Sequence, residues 1–360
     1  MQYNDKTVFK YLKPTDNDMV SLMNKDDLNE LLIYLDRYYL EYRNNLGFGF
    51  MDTFGIEIEI EHCIGLENFG LLDFYLELFE VIGNKKWDSR NDITLVQGRE
   101  IVSEILTDNV NYWSKVKRAC EFATIKGRVD VNCAAHVHAG SHILGDNAVY
   151  WYRFFKLWSV YENVIYRFCY GEYLNYRPNI MNYARPAASF YDSRLKLLDS
   201  NLNYSLLEML RIIEPKCVPN KYTKEFGVSY WRMLADNNYD IYEDFNKMTD
   251  GCTIELRVPN GTLDEIVWQN YINFFIKMIL YCKSKNFDDD ILNRRYKSVY
   301  NLFGNLDSYS KIYLDQALEF CDMIFNNNLD KLYFLRQYIK SFEITDKPFI
   351  KAKKFTYNQR

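Results

Sequence analysis

Three short segments, far apart in the chain, alternate apolar and ionisable residues. They cover residues 55–61, 135–139 and 253–258. Successive side chains of a β-strand point to opposite faces, so each segment predicts a strand with one apolar and one polar face. If the three strands share a sheet, we expect an exposed polar face of carboxylates, imidazoles and one guanidinium. Such a face is suited to binding divalent metal and phosphate.

Elsewhere, apolar residues recur three and four positions apart, which predicts helices. Thr262 and Glu265 fit a capping box, with a hydroxyl at the cap and a glutamate three residues later. The predicted helices cover residues 26–43, 71–82, 109–126, 148–170, 262–281 and, throughout, 288–342. The predicted strands cover residues 50–61, 92–95, 99–102, 135–139 and 253–258.

The composition is that of a globular protein. Of 360 residues, 48% are apolar and 26% charged, and the net charge of −5 gives no support for general nucleic-acid binding. The eight cysteines form no C-x-x-C pair, which predicts reduced thiols rather than zinc knuckles or disulfides. Residues 1–18 lack the apolar core of a signal peptide, and no run reaches the roughly 18 apolar residues of a membrane span. We therefore expect a cytoplasmic protein without a membrane segment.

Glu57, Glu59 and Glu61 project from one face of the first strand. At a rise of about 3.3 Å per residue, neighbours in this row stand roughly 6.7 Å apart, and their mutual repulsion, if uncompensated, would raise the pKa of some of them. A hard cation such as Mg²⁺ or Mn²⁺ would offset this repulsion. The alternative is a solvated strand face, and Glu61, at the strand end, is the weakest candidate.

All four histidines lie in or beside these segments: His62, His136, His138 and His142. Two histidines separated by one residue on a strand point the same way, so His136 and His138 could share a metal. The alternative is a pair of hydrogen-bonded structural histidines. His142 lies beyond a glycine and is treated as a bystander.

Glu255 and Arg257 project together from the third strand. They could form an ion pair, worth about 0–1 kcal/mol if exposed. Alternatively, the carboxylate binds metal and the guanidinium binds phosphate oxygens. Asn260 and Thr262 lie in the turn that leads to a helix N-terminus, a favourable position for an anion. The chain has no phosphate-binding loop of the G-x-x-x-x-G-K-[ST] type, no G-x-S-x-G and no H-E-x-x-H.

Together these motifs resemble the amidoligase family, relatives of glutamate–cysteine ligase and glutamine synthetase. The matching segments occur in family order, between about Phe54 and Tyr281. They are residues 54–59, 92–95, 100–103, 136–138, 253–257 and 260–264. The resemblance implies an α+β fold: a curved antiparallel sheet with a polar concave face, helices packed behind it, and a helical C-terminal part.

The resemblance also implies a carboxylate–amine ligase that uses ATP and Mg²⁺ (or Mn²⁺) and forms an acyl phosphate. Its substrates would be a small-molecule or peptide carboxylate and an amine. His136 and Arg257 would be catalytic and would also contact the nucleotide, Arg257 at the transferring phosphoryl group. The other nucleotide-binding candidates are His138, Asn260 and Thr262. The metal-ligand candidates are Glu57, Glu59, Asp92, Glu100, His138 and Glu255.

The resemblance sets the expected domain organisation. Residues 1–49 form an N-terminal extension with one helix, residues 50–285 the amidoligase-like domain, and residues 286–360 a helical region with a basic tail. Two departures from the family pattern are Asp92-Ile93-Thr94 for Asp-Gly-Ser and Cys133-Ala134-Ala135 for Cys-Gly-Leu.

Two other functions stay open at this point. The histidines and glutamates could hold Zn²⁺ and activate water in a hydrolase, although the acid-rich set favours a harder cation. The chain could also be a binding or scaffold protein that keeps the fold without turnover. Long aromatic helices make self-association plausible.

Overall fold

The computed structural model describes residues 35, 40–64, 71–83, 86–198, 203–213, 225–230, 252–340 and 350–352. The strands in these ranges are β1 (Phe54–Ile60), β2 (Asp88–Arg90), β3 (Arg99–Val102), β4 (Ala135–Gly140), β5 (Val228–Ser229) and β6 (Thr253–Leu256). The α-helices are α1 (Leu71–Ile82), α2 (Val110–Lys126), α3 (Ala148–Cys169), α4 (Ile180–Tyr183), α5 (Ala188–Leu195), α6 (Leu206–Ile213), α7 (Glu265–Lys283), α8 (Asp289–Val299), α9 (Leu306–Tyr309), α10 (Leu314–Ile324) and α11 (Asn328–Ile339). Short 3₁₀ helices cover Ser141–Ile143 and Tyr300–Leu302.

The six strands form one open sheet in the order β2-β3-β1-β4-β6-β5. Every strand pair in it is antiparallel. The apolar face of this sheet is buried: Ile58, Val137 and Ile254 have no exposed surface. Helix α2 packs on β1, and α7 packs on β4. The α+β class and the antiparallel sheet predicted from the sequence are therefore confirmed.

The strand that carries Glu57 and Glu59 is shorter than predicted, and Glu61 lies just beyond its end. It begins at Phe54 rather than at residue 50, and residues 50–53 lie outside it. The strand predicted over residues 99–102 is confirmed as β3. The strand predicted over residues 92–95 is wrong, because Oδ1 of Asp92 accepts hydrogen bonds from the backbone N–H and the hydroxyl of Thr94. This local bonding closes a turn in place of a strand ladder.

The capping box at Thr262 is also wrong. Asp264 is the N-cap of α7, and its Oδ1 accepts from the backbone N–H groups of Ile266 and Val267. The hydroxyl of Thr262 instead accepts from the N–H of Asp264, which shapes the turn before the helix. An aspartate two residues further on satisfies the free N–H groups of the first helical turn, so the helix starts later.

Among the remaining helices, α4, α5 and α6 lie in a stretch for which the sequence predicted no helix, and the others agree with the prediction with one exception. Helices α1, α2 and α3 lie where they were predicted, within one or two residues. The helix predicted over residues 26–43 falls mostly outside the described residues: residue 35 is helical, whereas residues 40–43 are not. Helices α8 to α11 confirm the helical C-terminal part and pack on α3 or α7. Of the predicted tail, residues 350–352 alone are described.

Helix α3 is long, and most of the other helices pack against it. It spans 22 residues, and α5, α7, α8, α9, α10 and α11 all pack against it. Its two tryptophans, Trp151 and Trp158, are fully buried. In the described ranges, no helix combines the length and the apolar character that a bilayer span requires.

Candidate functional site

The strand register brings the predicted residues onto one face of the sheet. Glu57 lies opposite His136, and Glu59 lies opposite Glu100. On the far side of β4, His138 lies opposite Glu255. Residues directly opposite in an antiparallel pair share a face, so these acids and imidazoles are neighbours although they come from four separate strands. We call this surface the polar face.

The polar face is buried, whereas an exposed one was expected. Glu57, Glu59, His136, His138 and Glu255 are between 4% and 8% exposed. Charges in such surroundings interact more strongly than charges in water. The arrangement of acids and bases around each residue therefore decides its charge state.

His136 is enclosed by three carboxylates. Its Nδ1 lies 3.0 Å from Oε2 of Glu57 and 3.7 Å from Oε1 of Glu255, and its Nε2 lies 3.7 Å from Oε1 of Glu59. Burial acts to raise the pKa of Glu57, but the charges of His138 and His136 and the hydrogen bond from His136 hold it well below its usual range. Glu57 is therefore an anion between two imidazoles.

His138 is bonded on one side only. Its Nδ1 lies 3.0 Å from the hydroxyl oxygen of Thr253. Its Nε2 lies 3.1 Å from Oε1 of Glu57 but is not aligned for a hydrogen bond, and no other described residue supplies a partner. A buried polar atom without a partner is uncommon in folded proteins and points to a ligand.

A second group on the polar face consists of oxygen ligands alone. Carboxylate oxygens of Glu59, Asp92 and Glu100 lie within 4.8 Å of one another. Burial, followed by the charge of Glu57, raises the pKa of Glu100 to about 9. Burial likewise raises the pKa of Glu59, although its Oε2 accepts a 2.6 Å hydrogen bond from the N–H of Ala134. Without a cation, Glu100 in this cluster retains its proton at neutral pH.

Arg257 is anchored by two groups. Its Nη1 donates to Oε1 of Glu255, and its Nε donates to the carbonyl oxygen of Tyr183 at 3.1 Å. Burial acts to raise the pKa of Glu255, but Arg257 and the two imidazoles lower it. Glu255 and Arg257 thus form a buried ion pair beside the acid cluster.

Asn260 and Thr262 are not brought into this cluster. The fully buried amide of Asn260 accepts from the N–H of Arg177 and donates to the carbonyl oxygens of Tyr170 and Asn175. Thr262 shapes the turn before α7. Both side chains are occupied by backbone groups, so they support the connection between β6 and α7.

Two other polar residues have structural partners as well. Oε1 of Glu61 accepts from the N–H of Val96 at 2.7 Å and from the amide of Asn132 at 3.1 Å. Nε2 of His142 donates to the carbonyl oxygen of Met51 at 2.7 Å. These contacts agree with the lower rank assigned to Glu61 and His142 from the pattern of residues along the chain.

Sequence reasoning assigned no role to Arg177, which supports the site from behind. Its buried guanidinium donates to the carbonyl oxygens of Arg257, Val258 and Pro259, and burial lowers its pKa to about 10. These partners lie some 80 residues away in the chain. No local sequence pattern signals such a contact.

Ser229 also went undetected. Ser229 lies on β5, opposite Glu255 of β6. Its buried hydroxyl has no partner among the described residues. Because β5 has two residues, it is too short to show the alternation that marks a strand in the sequence. The polar face therefore extends one strand beyond the predicted segments.

Comparison with known proteins gives one match. The sequence model of a family described as "Putative amidoligase enzyme" matches residues 73–279. No curated protein and no solved structure matched the chain significantly. The matched residues contain Asp92, Glu100, both histidines of β4, Glu255 and Arg257, and β1 precedes them. As the match covers more than half of the chain, the protein belongs to the amidoligase family.

Proposed function

We propose that this protein is an ATP- and Mg²⁺-dependent ligase that joins a carboxylate to an amine through an acyl phosphate. Membership of the amidoligase family indicates a ligase in general. The observation that carries the finer proposal is the buried group of carboxylates beside the Arg257 guanidinium. Phosphoryl transfer depends mainly on positioning and on neutralising charge, and this arrangement offers groups for both.

The donor set fits a hard cation. Mg²⁺ and Mn²⁺ prefer oxygen ligands, and Glu59, Asp92 and Glu100 offer three carboxylates within reach of one ion. A cation there would replace the proton that Glu100 otherwise retains. We propose that these three residues hold metal and that Glu57 and Glu255 hold a further ion. Bound metal would neutralise the phosphate oxygens of ATP.

The remaining polar residues would orient and neutralise the phosphates. Arg257 can direct its guanidinium at the transferring phosphoryl group, because the carbonyl oxygen of Tyr183 holds its Nε in place. His136, in contact with three carboxylates, fixes their relative positions and borders the nucleotide. Arg177 holds the backbone on which Arg257 stands. Asn260 and Thr262 would act indirectly, by shaping the loop behind the site.

A metal-dependent hydrolase is the second candidate, and one observation favours it. Ligand atoms of Glu57, His138 and Glu255 lie within 4.8 Å of one another, a mixed nitrogen and oxygen set that Zn²⁺ accepts. The oxygen-only group beside it has no part in such a mechanism. For that reason we favour the ligase.

The test is a calorimetric titration of ATP with and without Mg²⁺ on wild type, Glu59→Gln and Glu255→Gln. We expect Mg²⁺-dependent binding in wild type and at least tenfold weaker binding in both variants, with ATP turnover abolished. Glu61→Gln is a matched control, because this glutamate lies beside the same strand but bonds to Val96 and Asn132. It should bind ATP as wild type does.

Two results would contradict the ligase. Unchanged Mg²⁺-dependent binding in Glu59→Gln would remove the oxygen cluster from the nucleotide site. Binding of Zn²⁺ without any binding of ATP would favour the hydrolase.

A further inference from the structure

The polar face has a gap where two glycines stand in its rows of side chains. Gly55 lies opposite His138, and Gly140 lies opposite Thr253. Beyond Glu57 on β1 and His138 on β4, the next positions on this face therefore carry no side chain. The space left is part of a cavity of about 200 Å³. This is room for a short organic molecule.

The cavity has a polar inner end, apolar walls and a charged rim. Glu57 and His138, both buried, belong to its lining and to the polar face. Val102, which lies on the same face as Glu57, and Ile105 contribute apolar surface. Arg90, whose side chain is 51% exposed and bonded to Asp88, lies at the solvent side. A ligand in the cavity would thus have one end at the candidate site and its body against apolar groups.

The charged residues that line the cavity favour the amine substrate of a ligase over its carboxylate substrate. Its acidic residues are Glu57 and Glu104, and Glu104 is bonded to Lys115 at 2.5 Å. Arg90 is the one lysine or arginine among the described lining residues. A carboxylate at the inner end would meet the Glu57 anion. The N–H groups of an amine would instead find an acceptor there.

When an ammonium group supplies the positive charge beside Glu57, His138 in its neutral form, with its proton on Nδ1 toward Thr253, becomes a second acceptor at the same end. Hard cations prefer oxygen ligands, so the carboxylates satisfy the proposed metal without this imidazole. Its buried Nε2 has no hydrogen-bond partner in the described part of the chain. An N–H group that enters from the cavity would supply that partner. Thr253, bonded to Nδ1, keeps the ring in position.

We propose that this cavity binds the amine substrate as a short primary amine. Its nitrogen would lie beside Oε1 of Glu57 and Nε2 of His138, which leaves Oε2 of Glu57 for the proposed metal, and its carbon chain would lie against Val102. The assignment of this amine as a substrate rests on the proposed ligase function. Its binding to the cavity does not depend on that function and can be measured by itself.

Gly55 provides a direct test, because a side chain there would enter the cavity without displacing backbone. A Cβ at Gly55 would lie 3.5 Å from Oγ of Ser103 and 3.7 Å from Cβ of His138, which are ordinary contacts. A Cβ at Gly140 would lie 2.6 Å from the hydroxyl of Thr53, so that position is unsuitable. Gly55→Val and Gly55→Ala therefore form a graded pair.

The experiment is a titration with three four-carbon probes, n-butylammonium, n-butanol and butyrate, followed by ligand-observed NMR. It is carried out with and without MgATP, and circular dichroism checks the fold of each variant. We expect n-butylammonium to bind wild type more tightly than the other two probes. Binding should weaken about threefold in Gly55→Ala and at least tenfold in Gly55→Val. If Gly55→Val does not fold, the threefold change in Gly55→Ala decides the question.

Three outcomes would overturn the proposal. They are tighter binding of butyrate than of n-butylammonium, unchanged binding of n-butylammonium in the glycine variants, and no binding of it under either condition. The ligase proposal fails differently, through loss of Mg²⁺-dependent ATP binding. Amine binding without ATP binding would keep the amine cavity and reject the ligase.

Discussion

Buried charges occur in two regions of this molecule, and their partners differ. Where α11 ends, the buried guanidinium of Arg167 donates to the carbonyl oxygens of Ser310, Tyr338 and Ile339. Nearby, Nζ of buried Lys340 donates to the carbonyl oxygens of Gly171 and Gln337. On the polar face, buried carboxylates instead face one another and two imidazoles.

The buried cations at the end of α11 stabilise the fold, whereas the buried carboxylates of the polar face are placed to bind a ligand. The last carbonyl groups of a helix lack partners within it and carry the negative end of its dipole, so a fixed cation stabilises them. Acids that lie close together in low-dielectric surroundings destabilise each other until a cation arrives. The helix end is therefore complete without a ligand, whereas the polar face is not.

The largest expected effect compares one residue from each region. Arg167→Gln should lower the free energy of unfolding by about 4 kcal/mol, because it leaves buried carbonyl groups without donors. Glu59→Gln should lower it by less than about 1 kcal/mol, because it also removes a repulsion. Urea unfolding of metal-free protein measures both. Arg128→Gln, at a side chain 65% exposed, is the control and should change little. A larger loss of unfolding free energy in Glu59→Gln than in Arg167→Gln would contradict this distinction between the two regions.

The second prediction concerns a carboxylate that is both buried and well bonded. Glu162 accepts from the indole of Trp158, from the N–H groups of Ala187 and Ala188 and from the hydroxyl of Tyr309. Burial still raises its pKa from 4.5 to about 7. Between these values the folded state keeps a proton that the unfolded state has lost. Stability should therefore fall by about 3 kcal/mol as the pH rises through this range.

Unfolding in urea at intervals from pH 5 to 8 tests this expectation. Glu162→Gln should remove most of the slope. Glu208→Gln is the control, since hydrogen bonds from Ser205 lower the pKa of this exposed residue and its titration ends below the range. Equal slopes in wild type and Glu162→Gln would show that the hydrogen bonds outweigh burial.

The smallest expected effect concerns Arg257, which bonds to a backbone carbonyl, as the cations at the end of α11 do, and also to a carboxylate of the polar face. One of its nitrogens bonds to the backbone at Tyr183 and another to Glu255 on the polar face. Lysine offers a single point charge and cannot make both contacts. Arg257→Lys should slow turnover about tenfold, or about 1.4 kcal/mol, with less than threefold change in ATP affinity. Equal rates in the variant and wild type would reduce Arg257 to a structural ion pair.

Alternation along the chain was sufficient to predict the polar face. Segments with a period of two correspond to β1, β4 and β6, because one buried apolar face fixes which residues point the other way. Asp92 was found for a different reason. The strand predicted around Asp92 was wrong, and this residue was identified from the order of the family motifs along the chain. A turn rather than a strand brings Asp92 close to Glu59.

What the sequence could not predict depends on distant contacts. Burial of the polar face follows from packing that no local pattern encodes, and so do the carbonyl partners of Arg177. The start of α7 was missed by two residues, because Thr262 and Asp264 are both good caps and the turn geometry selects Asp264. Ser229 was missed because its strand is too short to show a period.

The alternation of β1 has a consequence for changes in chain length. In Phe54–Ile60 the isoleucines face the core and the glutamates face the opposite way. Deleting or inserting one residue inside this strand would exchange the two sets beyond that point, with carboxylates directed at the core. Length variation can therefore be tolerated in the connections between strands, and a single-residue indel within β1 would damage folding and chemistry in one event.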